Sequence, residues 1–204
     1  MFPFDVILFD VGGVLLTNGW DRRERAQVLD RFHLDPAAFE ARHSEPYRAW
    51  ERGAISVEAY LDSTVFTEPR GFSHDQFFTA MCAKSKPLPG GALGILAELA
   101  ASNNCLLGAL NNEARETNEY RFSHFGLRGY FRLALSSCYL GQRKPDQAIF
   151  RAALDILGRP PGRILFIDDR EENATAASLA GMKAIKFEGA ETLRAELVSL
   201  GVFE

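Results

Sequence analysis

The chain has 204 residues, 47% of them hydrophobic and 25% charged, with a formal net charge of −4. That apolar content suffices for a sizeable buried core, and the acidic balance argues against a nucleic-acid partner or an anionic membrane surface. No apolar run reaches the roughly 20 residues that span a bilayer, the first residues lack the marks of a secretory signal, and Cys82, Cys105 and Cys138 have no metal-binding spacing, so a cytoplasmic protein with free thiols is expected.

The first predicted strand, residues 5–9, is nearly continuous in hydrophobicity, as strands covered on both faces are. It runs into a lone carboxylate, Asp10, followed at once by Gly12 and Gly13. From Leu16 to about Lys86 no strand is predicted. Helical start signals fill that stretch: Asp35 before Pro36, and a Ser73 to Gln76 capping box. Between them "PYRAWERGAISVEAYLDS" reads as helical, broken at Gly53. The prolines and glycines of "KPLPGG" then stop any helix. Residues 17–86 are therefore expected to form a helical lid inserted into a core made of 1–16 and 87–204.

Beyond the lid, helices and strands alternate. "ALGILAELAAS" precedes a strand at 105–110, which ends in Asn111 and Asn112. A strand at 133–136 leads to "GQRKPD", containing Lys144. Ile149, Ala152, Ala153, Ile156 and Leu157 then form the apolar stripe of a helix. The strand at 164–167 ends in Asp168 and Asp169, a helix closes at Gly181, and the last strand covers 184–187. This order predicts an α/β fold with a doubly wound parallel sheet.

In such a sheet ligands collect outside the carboxyl ends of the strands, where Asp10, Asn111, Lys144, Asp168 and Asp169 all fall. Three carboxylates on one rim repel unless a cation lies among them. Oxygen ligands favour a hard ion such as Mg²⁺, which keeps waters and takes one or two carboxylates plus phosphate oxygens. With Lys144 as a point charge, the set is equipped for phosphoryl transfer through an aspartyl-phosphate. Gly12 can turn its carbonyl to the metal, and the N–H groups near it can cradle phosphate oxygens.

These residues resemble the haloacid dehalogenase-like superfamily of hydrolases. "ILFDVGGVL", "LLGALNN", Lys144 in "GQRKPDQAIF" and "ILFIDDREENATAASLAGMKAI" are similar to its four motifs in order, and "RAWERGAISVEAYL" to the helical cap of its first subclass. The resemblance implies that Asp10 is the nucleophile and a Mg²⁺ ligand, that Asp169 with Asp168 and the Gly12 carbonyl complete the metal site, and that Lys144 and Asn111 hold the phosphoryl group of a small phosphorylated metabolite. Two positions depart from the family pattern. Gly12 stands where its phosphatases carry a second Asp as general acid, and Asn111 where Ser or Thr is usual. Glu113 is a candidate replacement acid, or a solvated carboxylate at a helix start. A binding or regulatory protein that keeps the pocket without turnover, and a dehalogenase-type hydrolase, stay open as alternatives, as does the oligomeric state. The residues expected to be structural are the four histidines, Trp20 and Trp50 as lid-to-body packing, Arg52 at a helix end, and the run "REEN" as a solvent-facing helix start.

Overall fold

The apolar runs of the core are buried on both sides. In the computed structural model, which describes residues 2–204, β1 (Val6–Phe9), β2 (Leu106–Ala109), β3 (Leu133–Ala134), β4 (Ile164–Asp168) and β5 (Lys183–Lys186) form one parallel sheet in the order β3-β2-β1-β4-β5. Side chains alternate between its faces. Val6, Leu8, Ile164 and Phe166 point one way; Ile7, Phe9, Leu165 and Ile167 point the other. The expected α/β doubly wound sheet is the fold observed, with each strand within one or two residues of its expected place. β3 is the shortest because the chain turns into a helix at Ser137. β5 lies at the edge and exposes Lys183 and Lys186, charges that discourage pairing with another sheet.

Among the described residues, ten α-helices surround the strands. α1 (Arg22–Arg31), α2 (Pro36–Glu51), α3 (Val57–Thr64), α4 (His74–Cys82) and α5 (Leu93–Ser102) lie between β1 and β2. α6 (Arg115–His124), α7 (Ser137–Leu140), α8 (Gln147–Leu157), α9 (Glu171–Leu179) and α10 (Ala190–Ser199) follow. α5, α6 and α10 cover one face of the sheet through Leu96, Phe122 and Leu193; α8 and α9 cover the other through Phe150 and Ala177. No helix among the described residues is long and apolar enough to cross a membrane.

Helices α1 to α4 bury a separate cluster built on Trp20, Phe39, Trp50, Tyr60 and Phe77. Asp35 caps α2, and Ser73 with Gln76 forms the capping box of α4. The expected break falls at Gly53, between α2 and α3, while α2 itself runs on through Pro46 as a single helix. An interior proline costs about 3 kcal/mol. Phe39, His43 and Tyr47 stack in series along one side of the helix and Trp50 meets Tyr47 edge-on; burying Phe39 and Trp50 alone, at about 1.5–3 kcal/mol for each large side chain, offsets the proline. The segment is fastened at its base, where Thr17 N donates to the Lys86 carbonyl at 2.8 Å and Leu16 pairs with Pro87.

Candidate active site

The strand order reverses at β1, which has β2 on one side and β4 on the other. A crevice therefore opens beyond the carboxyl ends of β1 and β4. The register pairs Phe9 with Ile167, so the next residues, Asp10 and Asp168, emerge side by side. Asp10, Asp168 and Asp169 each offer an oxygen within 4.8 Å of the others. Lys144 reaches them from the loop before α8: its Nζ lies 2.6 Å from Asp168 Oδ2 and 3.1 Å from Asp10 Oδ1. Asp168 and Lys144 are almost wholly buried.

Each acid has a different setting. Asp168 is saturated: besides Lys144 it accepts from Arg170 N at 2.9 Å and from Asn173 Nδ2 at 2.9 Å. Asp10 Oδ1 accepts from Val11 N at 2.7 Å, while its Oδ2 has no partner among the described residues. Asp169 is half-buried and takes no side-chain hydrogen bond among those residues. Burial pushes the Asp10 carboxyl up to about 7; the Lys144 ammonium opposes that rise and the other two aspartates add to it. Burial and Asp168 likewise raise Asp169. Three carboxylates against one ammonium leave two uncompensated negative charges when all are ionised, with the open oxygens on Asp10 and Asp169. The deficit and the all-oxygen donor set fit a hard divalent cation.

The two glycines have distinct reasons. Gly13 has φ +77°, and a Cβ there would collide with the Asp169 carboxylate, so only glycine lets the loop pass beneath that acid. Gly12 borders the cavity; a Cβ there would lie 2.7 Å from Asn18 Oδ1 and 3.7 Å from Arg121 Nη1. The place of a second aspartate is thus taken up by Asn18 and Arg121.

A cavity of about 180 Å³ stands above Asp10 and Lys144. Its wall comes from the core through Asn112, Glu113 and Arg143, and from the helical segment through Trp20, Tyr47 and Glu51. Three expectations need correction here. Asn111 does not line the cavity: its amide donates to Asn118 Oδ1 at 3.0 Å and accepts from Ser136 Oγ at 2.8 Å. Asn112 takes the wall position and clamps the Lys144 backbone by two bonds of 2.8 and 2.9 Å. Glu113 is not solvated but buried, paired with Arg121 and bonded by Thr117 Oγ1 at 2.6 Å. Within "REEN", only Arg170, Glu171 and Glu172 face solvent; Asn173 turns inward to Asp168. Arg52 is exposed at the end of α2, outside the cavity wall. Trp50 packs inside and donates to Glu116 of α6 at 2.8 Å.

Sequence reasoning did not single out Glu51, Arg143 or Asn173 for the site. Asn173 carried a usable signal, since five residues after Asp168 places it about one helical turn into α9, above the strand end. Glu51 and Arg143 carried none, because they come from distant parts of the chain.

A family model described as a haloacid dehalogenase-like hydrolase matches residues 4–181. Flavin mononucleotide hydrolase 1 of Arabidopsis thaliana is 28% identical over 184 residues, 86% of this chain and 74% of that protein. Pyrimidine 5'-nucleotidase YjjG of Escherichia coli is 34% identical over 188 residues, 83% of this chain and 79% of that protein. Among solved structures, a HAD family enzyme from Bacteroides thetaiotaomicron superposes with a TM-score of 0.81 at 20% identity, over 97% of this chain and 99% of that one. The same enzyme in complex with magnesium and inorganic phosphate gives a TM-score of 0.75 at 21% identity, over 91% and 95% of the two chains.

Proposed function

The chain belongs to the haloacid dehalogenase-like hydrolases, and from that premise we propose that it is a Mg²⁺-dependent phosphatase of a small phosphate monoester, working through an aspartyl-phosphate. The carrying observation is the meeting of Asp10, Asp168, Asp169 and Lys144 at the floor of one cavity. The names of the two curated relatives, a flavin mononucleotide hydrolase and a nucleotidase, support a phosphorylated substrate.

In this reading a carboxylate oxygen of Asp10 attacks phosphorus in line with the departing ester oxygen, while Val11 N–H and Lys144 orient the carboxylate. Asp10, Asp169 and the Gly12 carbonyl would hold the metal, with Asp168 behind them. When bound, Mg²⁺ supplies positive charge to the phosphoryl oxygens. Lys144 steadies the same oxygens. Asn112 fixes the Lys144 backbone, and Asn111 braces the Asn112 loop from behind the wall. Residues 17–86 act as the cap that closes over the substrate and excludes water.

Hydrolysis of 4-nitrophenyl phosphate with and without Mg²⁺, in wild type and Asp10→Asn, tests the proposal. Metal-dependent turnover is expected, falling by at least about 10³-fold in Asp10→Asn. Equal background rates in all four conditions would leave a protein that keeps the pocket for binding alone.

A further inference from the structure

The proposed reaction lacks one part. An unactivated alcohol leaves phosphorus slowly unless a side chain protonates its oxygen, a contribution worth about 10²–10⁴-fold. Gly12 has no side chain to do so, and Glu113 is tied up by Arg121 and Thr117. Of the other two acids lining the cavity, Asp21 is exposed and caps α1 by accepting from Arg23 N and Glu24 N, while Glu51, the last residue of α2, is 4% exposed. Its Oε2 lies 2.7 Å from Arg143 Nε, yet the two are not aligned for a hydrogen bond, and both atoms are buried with no other partner. They form a buried ion pair at the cavity wall whose hydrogen-bonding capacity is not used up within the pair. The Glu51 main chain is anchored as well: its carbonyl accepts from Ser137 Oγ of the core at 2.6 Å, which ties the end of α2 to the core.

We propose that Glu51, delivered by the helical segment, is the acid and base of the phosphatase reaction, replacing the aspartate absent at position 12. This rests on the phosphatase reading above. As the Asp10 oxygen bonds to phosphorus and the ester P–O bond breaks, the Glu51 proton passes to the leaving oxygen and the alcohol departs. The Glu51 carboxylate then takes a proton from the water that attacks the aspartyl-phosphate, releasing phosphate and regenerating both side chains. The groups facing Glu51 are Arg143, Glu113 with its partner Arg121, and Tyr47 one turn earlier on α2. Burial raises the Glu51 carboxyl, opposed by Arg143 and reinforced by Glu113, so the protonated form is favoured over that of a free glutamate.

Glu51→Gln keeps the size of the side chain and removes the proton. Its kcat/KM should fall by about 10²–10³-fold on glycerol 2-phosphate but less than about tenfold on 4-nitrophenyl phosphate, whose leaving group needs little protonation. The alkaline limb of its pH–rate profile should vanish. In Arg143→Met that limb should move to higher pH, because the cation opposing protonation is gone. Equal losses on both esters, a change confined to KM, or an unmoved limb in Arg143→Met would overturn the assignment while the phosphatase reading stood. A wild type no faster than Asp10→Asn on 4-nitrophenyl phosphate would remove both.

Discussion

Gly13 links backbone geometry to the metal site. With φ at +77° and the Asp169 carboxylate lying where a Cβ would go, Gly13→Ala must displace the acid that the proposal gives to Mg²⁺. Groups that orient metal ligands typically contribute 10–100-fold in affinity. The Mg²⁺ dissociation constant of Gly13→Ala, measured by calorimetry, is therefore expected to rise about 10–100-fold; an unchanged constant would exclude Asp169 from the metal site. Gly12 is different in kind. Its neighbours are the side-chain ends of Asn18 and Arg121, so its lack of a side chain makes room for the Arg121–Glu113 pair that forms part of the cavity wall.

Along α2 the stacked rings enclose a histidine that is best left neutral. Tyr60 Oη accepts from Trp20 Nε1 at 2.9 Å, so its own hydrogen goes to His43 Nδ1, also at 2.9 Å. Protonating Nδ1 would break that bond. Burial, with Arg25 adding to it, lowers His43 to about 4, against an ordinary value near 6.5. Between these two values the unfolded chain binds the extra proton and the folded one does not, so stability falls as pH drops from 6.5 towards 4. The contribution lost between pH 7.5 and 5 is about 2 kcal/mol. Urea unfolding at the two pH values should show that decrement in wild type and its disappearance in His43→Asn. Equal decrements in both proteins would mean that other groups set the acid sensitivity.

For the molecule as a whole, the question is how the helical segment is held over the sheet's rim. Glu116 of α6 accepts from Trp50 Nε1 at 2.8 Å and from Val57 N at 3.3 Å, binding the end of α2 and the start of α3 to the core. Between those points Gly53, with φ +68°, lies against the Cys138 carbonyl. Buried donors without partners cost about 1–3 kcal/mol each, so Glu116→Ala should free the 52–56 turn. Faster proteolysis at that turn and a KM raised about tenfold, equivalent to 1.4 kcal/mol of binding, are expected. Unaltered cleavage would show that packing alone holds the segment down.

Much of this was legible in the residues. A strand buried on both faces must be apolar at every position, which is why the runs ending at Asp10 and Asp168 stood out, and polar groups directly after such runs must lie on the rim. Caps such as Ser73 with Gln76 were readable because both partners lie within one turn. The continuity of α2 through Pro46 was not: local rules weigh the proline, while the opposing gain comes from the rings of Trp20, just before α1, and Tyr60 of α3. The inward turn of Asn112 in preference to Asn111, the Glu113–Arg121 pair and the meeting of Glu51 with Arg143 had no local signature. They depend on where whole helices land on the core, and contacts between residues so far apart in the chain exist only once packing has brought them together.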